Sequence, residues 1–345
     1  MIRSIEWMDG AVRFLDQTRL PNEEVYVETS DCAVIAEAII ALRLRGAPLI
    51  GIAAAYGLVL GVQRYKHAPV EKFLQEFEEK KLLLLKTRPT AKNLFWALER
   101  MEKSIRLTSM KDSSMLFDIV QREAAAIHAE DRTMCDAIGK FGADLIPQNA
   151  ILLTHCNTGA LATGGIGTAF GVILTAAQQG KNIFVYADET RPLLQGSRLT
   201  MWELQKNNIA SALITDNTAA WTIKQKKVNV IIVGADRIVA NGDSANKIGT
   251  YNLAILAKEH GIPFYIAAPS STIDVSLSTG DEIPIEDRSA DEVLSVSGKR
   301  IAPEDVSVFS PAFDVTPHQF ITAIITEKGV HYPPYKASLT KAPGI

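Results

Sequence analysis

The sequence predicts an α/β protein: a mainly helical N-terminal domain with a small β element over 1–146, then a doubly wound parallel-sheet (Rossmann-like) domain over 147–345. Three observations carry this. The chain has 345 residues, more than one small domain needs. From Thr29 to about Leu145 the apolar residues recur at helical spacing. After Pro147, short apolar runs of β type alternate with helical stretches. Several of these runs are apolar at every position, as parallel strands covered on both faces are.

Taken in order, Ser4–Trp7 and Ala11–Leu15 flank Asp9–Gly10, a turn dipeptide between two short apolar runs, and predict the β element. Ser30 and Asp31 can cap a helix running to about Leu44. Between Arg45 and Arg64 no charged residue occurs. The stretch holds Pro48, several glycines and Ala53–Ala54–Ala55, and no second stretch resembles it. It therefore predicts a buried, closely packed helix rather than a membrane span. Thr87 and Thr90 flank Arg88–Pro89 ahead of a helix at Lys92–Leu98, and a long amphipathic helix covers roughly 113–143. The strands of the second domain are expected at 150–154, 182–186, 212–215, 228–233, 263–267 and 306–309. No internal repeat or low-complexity linker interrupts the chain.

Composition excludes several function classes. With 36 basic against 39 acidic residues, no basic surplus exists to bind a phosphate backbone, so nucleic acid is not an expected partner. The three cysteines, Cys32, Cys135 and Cys156, include no CxxC pair, which excludes a disulfide framework and a zinc ribbon and fits a reducing cytoplasm. The N-terminus lacks the apolar stretch of a signal peptide. No zincin spacing occurs among the six histidines, and no metal is expected.

In an open parallel sheet, ligands bind beyond the carboxyl ends of the strands, where strand order reverses. For an order 3-2-1-4-5, strands one and four are neighbours at that point. Cys156 just beyond the first and Asp236 just beyond the fourth would then face one crevice. The glycine-rich Asn157–Gly167 loop suits a phosphate cradle, but its glycine spacing fails the dinucleotide fingerprint, so Asp188 is not read as a ribose-binding acid. A thiol beside such a loop and a helix N-terminus can have a lowered pKa, which singles out Cys156; Cys32 and Cys135 lie in amphipathic segments and are read as packing. His155 should point away from Cys156, as neighbours on a strand do, and is read as a packed histidine. Asn246 is a candidate helix cap. Lys247 would then lie in the first helical turn, opposing the macrodipole by about 0.3–1 kcal/mol unless a phosphate is bound there. Arg45–Pro48, Arg88–Thr90 and Asp188–Arg198 are further polar clusters at expected turns.

Nearly the whole chain resembles the methylthioribose-1-phosphate isomerase family. The motifs are Arg45–Gly51, Arg88–Leu94, Thr154–Gly159, Asp188–Pro192 with Gln195–Arg198, Gly234–Arg237 and Gly242–Thr250. The wider superfamily includes regulatory subunits of a translation-initiation exchange factor and ribose-1,5-bisphosphate isomerases. The resemblance implies conversion of 5-methylthioribose 1-phosphate to 5-methylthioribulose 1-phosphate in methionine salvage. It implies Cys156 and Asp236 as the catalytic pair and Arg45, Gly46, Ala47, Arg88, Gln195, Asn246 and Lys247 as substrate-binding residues. Asp236 would protonate the ring oxygen, which requires a pocket that raises its pKa, and Cys156 would shuttle the proton between C2 and C1. The resemblance also implies no cofactor, a homodimer, and a substrate bound between the two domains. A non-catalytic regulatory subunit, and an isomerase of another sugar 1-phosphate such as 5-deoxyribose 1-phosphate or ribose 1,5-bisphosphate, are the competing readings.

Overall fold

A computed structural model of the chain describes residues 2–88, 91–106 and 112–340; Pro89 and Thr90 of the expected arginine cluster lie outside these. The chain is mixed α/β and divides into two compact units, one made of 1–136 with 160–167 and the other of 137–159 with 168–345. The division expected between 146 and 147 falls inside the second unit.

In the first unit, β1 (Ile5–Trp7), β2 (Val12–Leu15) and β3 (Tyr26–Thr29) form an antiparallel sheet. Asp9 and Gly10, both at positive φ, make the predicted turn between β1 and β2. Helix α1 (Cys32–Ile40) is capped by Asp31, whose carboxylate accepts the Ala33 amide at 2.8 Å. It stops short of the expected Leu44 because Leu42 turns left-handed. Helix α2 (Ala47–Gln63) is the uncharged stretch, and every residue from Leu49 to Val62 is buried. Its apolar character is core, and no helix among the described residues is long and apolar enough to cross a membrane. Around it lie α3 (Val70–Leu85), α4 (Lys92–Arg106) and α5 (Ser113–Ala143), the last matching the long amphipathic segment.

The glycine-rich segment 160–167 belongs to this helical unit. Its carbonyls at Ala160, Leu161 and Ala162 accept from Ser4 Oγ, Gln17 Nε2 and the Leu49 amide, and its Gly164 amide donates to Asp131 at 2.6 Å. These groups stitch the loop into the helices rather than facing outward as the expected phosphate cradle. Gly46, at φ +98°, opens α2 against this loop, and a Cβ there would come within 2.6 Å of Ala162 Cα.

The second unit is built on β4 (Ile151–Thr154), α6 (Ala169–Gln178), β5 (Phe184–Asp188), α7 (Met201–Lys206), β6 (Ser211–Ile214), α8 (Ala219–Lys226) and β7 (Val230–Val233). Next come β8 (Arg237–Val239), β9 (Ser244–Lys247), α9 (Thr250–His260), β10 (Phe264–Ala267) and β11 (Ile273–Asp274). The last elements are α10 (Asp291–Leu294), β12 (Ser295–Val296), β13 (Lys299–Arg300), β14 (Phe313–Thr316), β15 (Ala323–Thr326), β16 (Gly329–His331) and α11 (Tyr335–Thr340).

The main sheet has the order β16-β15-β10-β7-β4-β5-β6, parallel except for β16, so strand order reverses between β4 and β7 as anticipated. Alternate residues face opposite layers. Leu152, Val185, Val230 and Ile232 pack with α6, while Leu153, Ile231, Val233 and Ile266 pack with α8 and α9. One strand expectation needs correction. Val306–Phe309 forms no strand: these residues are largely exposed, with Phe309 at 84%, so their apolar alternation meets no core. The sixth sheet position is taken by β15, fully buried, with β16 as its antiparallel edge. A second sheet, β11-β8-β9-β14, branches off directly after Asp236.

Candidate active site

The carboxyl end of the main sheet carries several of the site residues expected in the second unit. Beyond β4 come His155, Cys156 and Asn157; beyond β7 come Gly234, Ala235 and Asp236. Since β4 and β7 are hydrogen-bonded neighbours, with Thr154 Oγ1 donating to the Ile232 carbonyl at 2.8 Å, the cysteine and the aspartate follow adjacent strand tips. Cys156 is buried and sits at φ +60°, a conformation that costs a non-glycine residue about 1–3 kcal/mol and that clusters at functional turns. Two hydroxyls hold it there: its amide donates to Thr190 Oγ1 at 2.8 Å and its carbonyl accepts from Thr200 Oγ1 at 2.5 Å. Asn157, next along, donates to the buried Glu203 carboxylate at 2.8 Å, which ties the turn to α7.

The two other cysteines behave as packing residues. Burial pushes the Cys32 thiol up to about 12 and the Cys135 thiol higher still, so neither offers a thiolate near neutral pH. His155 is also packed: its Nδ1 is 2.9 Å from Asp188 Oδ2 and its Nε2 is 2.9 Å from the Ile248 carbonyl, so neither nitrogen is left to form a dyad with the thiol. Gly249, at φ +104°, lies against this ring, and a Cβ there would meet His155 Cε1 at 2.9 Å.

The 188–200 loop follows β5 at the same sheet end. Asp216, beyond β6, accepts the amides of Thr190 and Arg191 at 2.8 and 2.7 Å and anchors the loop. Gln195 begins a π turn at Gly196–Thr200; its side-chain Oε1 is buried and has no hydrogen-bond partner among the described residues. A buried acceptor left unmade costs about 1–3 kcal/mol. His155, Asp188 and Asp216 also offer ligand atoms within 4.8 Å of one another. In this state, however, His155 Nδ1 and both Asp216 oxygens are already hydrogen-bonded.

Asn246 and Lys247 require a correction. They lie in β9, not at a helix start; α9 begins at Thr250 with Gly249 as its cap. Lys247 thus does not oppose the helix macrodipole. Its ammonium donates to the Ala312 carbonyl at 2.8 Å and sits 4.4 Å over the Phe313 ring, while Asn246 Nδ2 donates to Thr250 Oγ1 at 2.9 Å. The α9 N-terminus is served instead by Asp314 on β14, which accepts the Gly249 and Tyr251 amides at 2.7 and 3.1 Å. No local sequence signal marks Asp314, since the amides it accepts lie at the start of α9, more than sixty residues earlier in the chain.

Burial raises the Asp314 carboxyl from 3.8 to about 6, although those two amide bonds pull it down. A folded pKa above the unfolded one means that protonation favours the fold. The contribution is complete below 3.8 and is lost as pH rises through about 6, with an upper limit of about 3 kcal/mol. Melting curves of the parent and of Asp314→Asn are expected to diverge across that window, the parent losing stability relative to the variant as pH rises. Parallel curves would remove the assignment.

Of the remaining expected residues, Arg45, Gly46, Ala47 and Arg88 belong to the first unit, at the start of α2 and just beyond α3. Arg45 and Arg88 are half-buried.

Comparison with known proteins gives a consistent picture. The model of the initiation factor 2 subunit family matches residues 43–333. A methylthioribose-1-phosphate isomerase of Fervidobacterium nodosum is 54% identical over 340 residues, covering 98% of this chain and 97% of the relative. That of Pelotomaculum thermopropionicum is 52% identical over 342 residues, covering 99% and 94%. Among solved structures, a 5-methylthioribose 1-phosphate isomerase from Pyrococcus horikoshii superposes with a TM-score of 0.93 at 46% identity, covering 99% of this chain and 96% of that one. A structure described as translation initiation factor eIF-2B, subunit delta, from A. fulgidus superposes with a TM-score of 0.88 at 41% identity, covering 99% of each chain.

Proposed function

The chain belongs to the initiation factor 2 subunit family and, within it, to the methylthioribose-1-phosphate isomerases, and on that premise we propose that it converts 5-methylthio-α-D-ribose 1-phosphate to 5-methylthio-D-ribulose 1-phosphate in methionine salvage. The observation that carries the reading is the full-length likeness to isomerases at more than 50% identity. It is supported by a thiol and a carboxylate that follow neighbouring strand tips at the switch point.

The substrate's phosphate sits on the anomeric oxygen and blocks spontaneous ring opening, so the chemistry needs an acid at the ring oxygen and a base at C2. In our reading Asp236 gives its carboxyl proton to the ring oxygen as the C1–O bond breaks. The Cys156 thiolate takes the C2 proton, leaving a C1–C2 enol phosphate. The thiol, whose hydrogen exchanges with solvent, then delivers a proton to C1 while the C2 hydroxyl proton goes to the Asp236 carboxylate. The C2 ketone forms and both groups are restored. Arg45 and Arg88 suit the phosphate and hydroxyls by charge and planar geometry. The backbone at Gly46 and Ala47, the Gln195 amide oxygen, Asn246 and Lys247 complete the binding set. The active species is proposed to be a homodimer, with no cofactor.

The A. fulgidus structure, described as a translation-factor subunit, carries the same fold and makes a non-catalytic subunit the second reading. One preparation assayed against 5-methylthioribose 1-phosphate, 5-deoxyribose 1-phosphate and ribose 1,5-bisphosphate separates these readings. Turnover of the first substrate is expected. No turnover of any of them, together with stable association with a translation factor, would favour the second. Run in deuterium oxide, the reaction is expected to place solvent deuterium at C1 of the ketose. Full retention of the C2 hydrogen would instead require a direct hydride shift.

A further inference from the structure

We propose that His155 and Asp188 share a single proton and together act as positioning residues for Cys156, holding the left-handed turn that presents its thiol. The proposal rests on the role given to Cys156 above and extends it to a pair of side chains that the reaction itself does not use.

The argument begins with what surrounds the imidazole. Its Nε2 faces the Ile248 carbonyl at 2.9 Å, and a carbonyl only accepts, so Nε2 carries a hydrogen. Its Nδ1 faces Asp188 Oδ2 at 2.9 Å. A hydrogen bond there needs one proton, whether it sits on the ring as imidazolium or on the carboxyl as neutral acid. Either way the pair is neutral overall, and both side chains are 1% exposed. Without that proton a nitrogen lone pair would point at a carboxylate in a site closed to water, which low dielectric makes strongly repulsive.

The surroundings favour keeping it. Three acidic groups face the pair: Asp216 beyond β6, Glu189 in the loop after β5, and Asp314 on β14. Burial by itself would lower the His155 pKa, but Asp188 and Asp216 outweigh it and hold the imidazole above its usual value. Burial is also the main reason that the Asp188 carboxyl is raised, against the lowering by His155. The same hydrogen bond explains why the cluster is not read as a metal site: it engages the Nδ1 that a cation would need.

The path to Cys156 is short. The Asp188 carbonyl accepts from Thr190 Oγ1 at 3.2 Å, and that same oxygen accepts the Cys156 amide at 2.8 Å. His155 precedes Cys156 in the chain, so fixing its ring on both nitrogens fixes one side of the turn, and Thr200 holds the other at the Cys156 carbonyl. Ile248, the partner of Nε2, directly follows Lys247. The imidazole therefore also joins the thiol-bearing turn to the strand that carries Asn246 and Lys247.

The test compares Asp188→Ala with Asp188→Asn. The alanine variant leaves Nδ1 without a partner and is expected to lower kcat by about 100-fold with KM nearly unchanged, because the thiol is misplaced while binding persists. The asparagine amide can donate to a neutral Nδ1, and Asp188→Asn is expected to recover most of that loss. In the parent at neutral pH, proton NMR should show an exchange-protected, far-downfield imidazole resonance that is absent from Asp188→Ala and His155→Gln. Parental kcat in Asp188→Ala, or no such resonance in the parent, overturns the proposal. If Asp188→Ala does not fold, the parental resonance and the kcat of Asp188→Asn decide. Full turnover in Cys156→Ser with the resonance present would sink the role of the thiol instead, so the two failures are distinguishable.

Discussion

Cys156→Ser is expected to lower kcat by about a thousandfold and to leave the protein folded. A serine hydroxyl fits the space of the thiol but has a far higher pKa, so it provides no base for the C2 proton. The other thiols cannot substitute, because burial holds both in the neutral form. The turn itself offers an internal control. Glycine adopts φ +60° without strain, so Cys156→Gly should lose turnover as fully while its stability stays within about 1 kcal/mol of the parent. Steady-state kinetics and thermal melts on both variants check this. Substantial turnover in either would mean that the thiol is not the proton shuttle.

Asp236→Asn is expected to reduce net turnover by a similar factor for a different reason. Asparagine keeps the size of the side chain, and the backbone of residue 236 stays fixed by the hydrogen bond that its N–H donates to the Ala245 carbonyl at 2.9 Å. It has no proton to give the ring oxygen, so the step that fails is ring opening. The open-chain ketose needs no ring chemistry to enolise. Incubated with ketose in deuterium oxide, Asp236→Asn should still exchange the C1 hydrogen, because the amide can donate to the enolate oxygen while Cys156 moves the proton. Cys156→Ser should show neither turnover nor exchange. Equal loss of exchange in both variants would contradict the division of labour between acid and shuttle.

How far the sequence alone reaches depends on whether a residue's environment is local. The parallel sheet was legible because β4, β7 and β10 are apolar at nearly every position, and the switch point followed from strand order alone. Asp31 as a cap and the whole of α2 as core were equally local signals. The second sheet was not legible. β9 reads Ser–Ala–Asn–Lys, a polar string with no strand alternation, and becomes a strand by pairing with β8 on one side and, on the other, with β14, which lies well over sixty residues later. That is why Lys247 was expected at a helix start. His155 as a packed ring followed from alternation along β4, but its partners Asp188 and Ile248 come from other elements and no spacing rule announces them. Val306–Phe309 failed in the opposite sense: its pattern was right for a strand, yet no core lies beneath it.

The stitched segment 160–167 has a consequence for biosynthesis. As the polypeptide emerges from the ribosome, the helical unit's first 136 residues appear well before the eight that complete it. Until those eight have left the exit tunnel, Ser4, Gln17, Leu49 and Asp131 lack the loop groups that they bond in the finished protein. The nascent helical unit must therefore wait, partly formed, while β4 and the Cys156 turn are translated. Maturation of the two units is interleaved in time rather than sequential, and neither could be exchanged between relatives as a simple contiguous cassette.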